Sequence, residues 1–329
     1  MKICMFSSKP YDQTYFDLAK EDCFDITYLS PHLDETTVLL AQGCNIVCCF
    51  VNDVLNTDVL RELKRMGVAL IALRCAGFNN IDMKTARELK LPVCRVPKYS
   101  PYAIAEHACA LILDLNRNIH RAHNRIREND YSLDGLLGFD LHGKNIGVVG
   151  AGKTGRAFIN IMAGFGCHIF IVDPFFNKKD LKENQFLVTF DELLEKSDII
   201  SLHCPLSSQT HHLVNAQSIK KMRPGVMIIN TSRGGLIDTV AIIKGLKSKK
   251  VGYLGIDVYE EESGLFFENL SDTFIQDDIF ARLQTFPNVT ITGHQAFFTK
   301  EALHNIATIT KNNILHFAAG RFEQANIIE

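Results

Sequence analysis

The chain has 329 residues, of which 47% are hydrophobic and 22% charged, with a formal net charge of -2. That length exceeds one ordinary core and predicts about two domains, while the near-neutral charge excludes a general attraction to nucleic acid or to anionic membrane. The opening "MKICMFSSKPYD" has too short an apolar run for a signal peptide and no apolar stretch approaches a membrane span, so a cytoplasmic protein is expected, with no membrane and no nucleic-acid partner.

Short apolar runs alternate with helical patterns, which argues for parallel α/β units. In the first hundred residues the predicted strands are "KICMFS", "FDITYL", "NIVCCFV", "ALIAL" and "LPVCRV". None of the ten cysteines forms C-x-x-C; Cys44, Cys48 and Cys49 in "CNIVCCFV" read as a buried strand with reduced thiols. The segment "YSPYAIAEHACALILDLNRNIHRAHNRIREND" predicts one unbroken helix suited to bridging two domains, with Ser100 as N-cap and Pro101 at the first helical position. After "LHGKN" a second series follows: "IGVV", "HIFIV", "DIISLH", "VMIIN", "VGYLGIDVY" and "VTIT". The His211-His212 pair lacks nearby cysteine or carboxylate spacing, so no metal is expected there or elsewhere. A last helix from about Thr299 carries Leu303, Ile306, Thr310, Ile314 and Phe317 on one face and is expected to pack back on the first domain.

The stretch "GVVGAGKTGR" fits two phosphate-binding patterns. Gly147, Gly152, Lys153 and Thr154 spell the P-loop of a nucleotide triphosphatase; Gly150, Gly152 and Gly155 spell a dinucleotide fingerprint. A P-loop requires its strand to end near Gly147, yet "IGVV" ends at Gly150. Gly150 then makes the tight turn, Gly152 admits a pyrophosphate, and Gly155 lets the helix pack on the sheet. Asp173 in "HIFIVDP", 18 residues after Gly155, supplies the acid that accepts ribose hydroxyls and repels the extra phosphate of NADP, so NAD is the expected cofactor.

Hydride chemistry further needs a grip on the substrate and a proton donor. Arg233, in "IINTSRGGLID", follows a strand of the nucleotide series and suits a carboxylate. His294, in "ITGHQAFF", follows the last strand, and histidine is the residue type able to give a proton in one direction and take it back in the other. A carboxylate from "GIDVYEEES" would hold its imidazole, and spacing leaves Glu260, Glu261 and Glu262 open.

The chain resembles the D-isomer-specific 2-hydroxyacid dehydrogenases, and within them the bacterial fermentative D-lactate dehydrogenases. The resemblance rests on "FVND", "ALRCAGFNNID", "RVPKYSPYAIAEHA", "GVVGAGKTG", "VDP", "SLHCPL", "NTSRGGLID", "GIDVYEEES", "FFEN", "IQDD" and "TGHQAFFTKEAL", in that order. It implies that Arg233 binds the substrate carboxylate, His294 donates the proton, and Glu262, selected by the pattern D-V-Y-x-x-E, is its partner. It implies backbone amides from Ala76 and Gly77, and a small pocket lined by Tyr99 and Phe297. It places NAD against Gly150, Gly152, Lys153, Thr154, Gly155 and Asp173, and along Cys204, Pro205, Thr231, Ser232 and Asp257. Thr154 stands where the family more often has an apolar residue.

The resulting expectation is an α/β protein with two Rossmann-like or flavodoxin-like domains, parallel sheets, and an active site in the cleft between them. A discontinuous substrate domain would comprise 1–99 plus 298–329, and the NAD-binding domain 100–297. The expected activity is NADH-dependent reduction of pyruvate to D-lactate by a homo-oligomer, dimer or tetramer. The rivals are a hydroxypyruvate or glyoxylate reductase of the same family, a non-catalytic NAD sensor and the P-loop enzyme. Arg233, Glu262 and His294 together argue against the sensor, and the end of the chain soon after the last helix disfavours a phosphoglycerate dehydrogenase with a regulatory extension.

Overall fold

Strands covered on both faces need apolar residues at nearly every position, and inner strands of both series such as "IVCC", "LIAL", "IISL" and "VMIIN" satisfy this. The computed structural model describes residues 1–19 and 21–328. Its chain divides into two units, Met1–Ser100 with Phe298–Glu329, and Pro101–Phe297.

The first unit contains β1 (Lys2–Met5), α1 (Pro10–Ala19), β2 (Asp25–Tyr28), β3 (Ile46–Cys49), α2 (Thr57–Arg65), β4 (Leu70–Leu73), α3 (Met83–Glu88) and β5 (Val93–Cys94). The strands form one parallel sheet in the order β2-β1-β3-β4-β5, the flavodoxin-like arrangement. Val59, Leu60 and Leu63, spaced for one helical face, press α2 onto Val47, Ile71 and Leu73. Each such side chain, taken wholly out of water, contributes about 1.5–3 kcal/mol. The helix starts where Asn56 accepts a bond from the Val59 amide.

The cysteine expectation needs correction at one residue. Cys48 and Cys49 are buried free thiols on β3, but Cys44 precedes the strand and is bonded to Cys4 on β1. The β1–β3 pairing brings their Cα atoms to 6.0 Å, within disulfide reach. Sequence alone offered no pairing between residues 40 positions apart.

The second unit contains α4 (Pro101–Arg117), α5 (Ile119–Arg127), β6 (Asn145–Val149), α6 (Lys153–Gly164), β7 (His168–Val172), β8 (Gln185–Leu187), α7 (Phe190–Lys196), β9 (Ile199–Leu202), α8 (Ala216–Lys221), β10 (Val226–Asn230), α9 (Thr239–Lys247), β11 (Val251–Ile256), α10 (Asp278–Gln284) and β12 (Val289–Ile291). Seven parallel strands run in the order β12-β11-β10-β9-β6-β7-β8. Alternate residues serve the two faces: Met227 and Ile229 join the core under α4 and α6, while Val226 and Ile228 join the one under α8 and α9. The order reverses between β6 and β9, and in such sheets ligands bind outside the strand ends at that point.

Two sequence expectations differ here. The bridging helix is broken: Asn118 is left-handed (φ 51°), and the Asp114 carboxylate takes the His120 amide at 3.0 Å and its Nδ1 at 2.8 Å, so α4 stops and α5 starts as a separate helix. The edge strand β8 was not foreseen, because three residues carry too little periodicity to register. The last helix, α11 (Lys300–Ala318), is capped by Thr299 and belongs to the first unit, where it packs on α1 and β4. Leu303, Ile306, Thr310 and Ile314 are buried on it.

Candidate active site

Turns at the C-terminal ends of parallel strands carry nearly all of the candidate residues, since successive strands deliver their following loops to one edge of the sheet. After β6, only Gly150, Ala151 and Gly152 intervene before α6. Gly147 is buried inside the strand, where a methyl would lie 2.5 Å from Ser197 Oγ, so it opens no loop and the P-loop reading falls.

The three fingerprint glycines have different physical reasons. Gly150 is left-handed (φ 93°), and a Cβ there would lie 2.6 Å from the Cys204 amide nitrogen. At Gly155 it would lie 2.0 Å from Gly150 O, so this residue lets α6 meet the turn. At Gly152 it would meet nothing within 4 Å. That open approach, at an N-cap with no side-chain hydrogen bond, leaves the first amides of α6 for an anion. Asp173 at the end of β7 accepts from the Ala151 amide (2.7 Å) and the Phe175 amide (2.7 Å), which ties the second strand end to the glycine turn. Lys153 is exposed and Thr154 half-buried at the start of α6. Thr231 Oγ1, following β10, is buried without a hydrogen-bond partner. An open backbone cradle, an acid at the next strand end and an orphaned hydroxyl fit a dinucleotide.

The opposite side of the groove is fixed by side chain to backbone bonds. Ser232 Oγ donates to Cys204 O at 2.7 Å, and Pro205 O accepts from Thr210 Oγ1 at 2.7 Å. Burial pushes the Cys204 thiol up to about 11, which keeps it protonated near neutrality and unsuited to nucleophilic attack. Its neighbour His203, packed against Phe158, is pushed down to about 4 by burial and stays neutral.

Arg233 stands in extended backbone after β10, just before a 3-10 turn at Gly234–Leu236. Asn230, itself fully buried, binds the Ser232 amide at 3.0 Å and donates to Arg233 O at 2.8 Å, which clamps the backbone on both sides of the guanidinium. Arg233 Nη1 donates to Ser232 O at 2.7 Å. Gly234 is required by proximity: a Cβ would lie 2.0 Å from Tyr259 C and O.

His294 follows β12 in left-handed backbone (φ 52°), a conformation that costs a histidine energy and persists only where neighbours impose it. Asp257 is the neighbour. Its wholly buried carboxylate accepts from the Gln295 amide (2.9 Å), the Ala296 amide (2.8 Å) and Thr292 Oγ1 (2.5 Å), while its carbonyl accepts from the His294 amide (2.7 Å). His107 of α4 completes the group, 2.9 Å from Thr292 Oγ1 and 3.4 Å from Asp257 Oδ1. Asp257 therefore shapes the histidine turn; the sequence had it only along the cofactor groove, and His107 and Thr292 had no role.

Among the three glutamates left open by spacing, Glu262 meets the histidine, its Oε1 2.8 Å from His294 Nδ1. Its Oε2 accepts from the Tyr259 amide at 3.1 Å. Glu260 instead faces His212 (2.6 Å) and Thr239. With Nδ1 held by a carboxylate, Nε2 is the nitrogen left to exchange a proton. Phe267, within "FFEN" and without a role in the sequence reading, sets its ring 5.7 Å from the His294 ring and 6.5 Å from that of Phe297. Phe297 is buried. In the first unit, Ala76 and Gly77 follow β4, where Arg95 Nη1 donates to Ala76 O at 2.8 Å; Tyr99 follows β5 and accepts at its carbonyl from Asn305 of α11 at 2.6 Å.

Comparisons with known proteins place the chain in a family. Residues 109–296 match the family described as D-isomer specific 2-hydroxyacid dehydrogenase, NAD binding domain. A 2-hydroxyacid dehydrogenase homolog of Haemophilus influenzae is 51% identical over 323 residues, covering 98% of this chain and 97% of that protein. The D-lactate dehydrogenase of Escherichia coli is 48% identical, covering 97% of this chain and 98% of its own. Among solved structures, the pyruvate reductase of Chlamydomonas reinhardtii superposes with a TM-score of 0.91 at 42% identity, over 98% of this chain and 97% of that one. With more than half of the chain matched by the family and relatives near 50% identity along nearly all of it, this protein belongs to the D-isomer specific 2-hydroxyacid dehydrogenases, with residues 109–296 matching their NAD-binding domain.

Proposed function

We propose that the chain reduces pyruvate to D-lactate with NADH. The observation that carries this reading is the 2.8 Å contact of His294 Nδ1 with Glu262, on the loop that also abuts Gly234 beside Arg233. A proton donor after β12 and a planar cation after β10, both tied to the intervening turn after β11, match a substrate with a carbonyl next to a carboxylate. Gly150, Gly152, Lys153, Thr154, Gly155 and Asp173 hold the adenosine and pyrophosphate portion of NAD, with Cys204, Pro205, Thr231, Ser232 and Asp257 along the rest. The bound nicotinamide supplies the hydride that C2 of the keto acid receives.

The chain's own residues do the remainder. Arg233 binds the carboxylate through its guanidinium fork, so one face of the keto group is presented. Ala76 and Gly77, through their backbone amides, and Tyr99 and Phe297 are the further residues proposed for substrate binding. His294 gives the proton on Nε2 to the carbonyl oxygen, and Glu262 stabilises its protonated form until then. In the reverse direction His294 takes the proton back.

Two observations support the setting. Ile119, Ile126, Tyr131, Leu133 and Leu137 are exposed in one stretch of the second unit, which suits a homo-oligomer. Eight of the ten cysteines are free thiols, which suits a cytoplasm that keeps most thiols reduced, with the Cys4–Cys44 disulfide as the exception; a fermentative role goes with the pyruvate reading.

The test is a panel of pyruvate, hydroxypyruvate, glyoxylate and a branched 2-keto acid, each with NADH and NADPH. Highest kcat/KM with pyruvate and NADH is expected. A preference for hydroxypyruvate or glyoxylate would reassign the substrate within the family, and no reduction of any keto acid would overturn the reading. Sedimentation that shows a monomer would remove the homo-oligomer.

A further inference from the structure

We infer that Glu260 is a positioning residue that sets the distance between the substrate-binding arginine and the proton-donating histidine. The inference rests on the functional reading above.

Glu260 sits in the turn after β11, and its carboxylate joins three strand-end loops. Oε2 accepts from the Thr239 amide (2.8 Å) and Thr239 Oγ1 (2.5 Å) at the start of α9. Oε1 lies 2.6 Å from His212 Nε2, in the loop after β9. His212 is left-handed (φ 50°), its amide donates to Gly235 O at 2.8 Å, and its ring stacks on His211 at 3.9 Å. The Glu260 side chain is 21% exposed, so these charge-assisted bonds form largely out of water, where they are strong.

The consequence runs along the backbone on either side. One residue before Glu260, Tyr259 gives its amide to Glu262 Oε2, and Glu262 Oε1 holds His294 Nδ1. The same Tyr259 carbonyl lies against Gly234, the residue after Arg233. Tyr259 is held at its far end by its hydroxyl, which donates to Asp277 at 2.6 Å. Anchoring Glu260 to Thr239 and His212 therefore fixes the Tyr259 peptide, and that peptide fixes both Arg233 and the Glu262–His294 pair. Among the described residues, the hydrogen bonds of the Glu260 carboxylate go to Thr239 and His212.

The test compares wild type with Glu260→Gln, Glu260→Asp, His212→Asn and the double variant Glu260→Gln/His212→Asn. The readouts are pyruvate kcat and KM, NADH affinity by nicotinamide fluorescence, the pH profile of reduction, and thermal midpoint. Misplacing reacting groups by about 1 Å costs on the order of a hundredfold. Glu260→Gln should therefore lower kcat/KM at least about tenfold, mostly in kcat, with NADH affinity within about twofold. Its pH midpoint should stay at the wild-type value, because the Glu262–His294 contact keeps its charge. Glu260→Asp should recover part of the loss, and the double variant should be no worse than Glu260→Gln, since both changes cut one tie.

Pyruvate kinetics within about twofold of wild type in a folded Glu260→Gln would overturn the inference, as would an equal loss of NADH affinity. A pH midpoint displaced as in Glu262→Gln would overturn it too, by making Glu260 a charge partner. If Glu260→Gln does not fold, Glu260→Asp and His212→Asn carry the same readouts. A wild type inactive on every keto acid refutes the functional reading and takes this inference with it; an active wild type with indifferent variants refutes the inference alone.

Discussion

Gly234→Ala tests the closeness of the two loops by adding one methyl group. Its Cβ would lie 2.0 Å from Tyr259 C and O and 2.5 Å from the Glu260 nitrogen. Ordinary contact begins at 3.4 Å, so the loops must separate by about 1.4 Å. The obstacle is backbone, and no side chain can swing aside. Gly234 does not have a positive φ, so the alanine backbone itself is unstrained and the effect is displacement alone. Arg233 then moves relative to Glu262 and His294, and kcat/KM for pyruvate should fall about a hundredfold. Overpacking of this kind costs about 1–3 kcal/mol, so the thermal midpoint should drop by several degrees while the protein stays folded. Stopped-flow or steady-state NADH absorbance gives the rates, and nicotinamide fluorescence gives NADH affinity without Trp interference, because the chain has none. Gly152→Ala is the control: its methyl meets nothing within 4 Å, so stability should hold while NADH binding weakens. A folded Gly234→Ala that retains kcat/KM within about threefold would refute the claim that this contact sets the position of Arg233.

Arg233→Lys keeps a charge and loses the fork; kcat/KM for pyruvate should fall about tenfold to a hundredfold with NADH affinity nearly unchanged, and equal weakening of both would make the arginine a cofactor residue. Glu262→Gln removes the anion 2.8 Å from His294, making its protonation harder. Because reduction needs the protonated ring, the midpoint of its pH profile should move to lower pH; an unchanged profile would reject the pair. Asp173→Ala should weaken NADH and narrow its advantage over NADPH, and a wild type equally efficient with both would reject the role of Asp173. His203 is depressed from its ordinary 6.5 to about 4 by burial. The unfolded chain therefore binds the proton first as pH falls, and stability is lost from 6.5 downward towards about 4, by no more than ~3 kcal/mol. His203→Gln should flatten that part of the curve of thermal midpoint against pH, and an unaltered slope would show that other groups cause it.

Local chemistry made much of this protein legible in its sequence. Gly150, Gly152 and Gly155 between a strand and a helix are a backbone requirement, and backbone requirements act over a few residues. The strand runs and helix starts are equally local, so only the three-residue edge strand β8 escaped among the strands. What the tertiary structure decided lies across long separations. Spacing could not choose among Glu260, Glu261 and Glu262, because the turn after β11 aims neighbouring side chains at different loops: Glu262 at His294, and Glu260 at His212 and Thr239. Nor could it reveal that Asp257 folds the His294 turn with help from His107, or that Cys44 pairs with Cys4. Those partners meet only once the strands have paired and the helices have packed on them, and contact there depends on sheet order and register rather than on sequence distance.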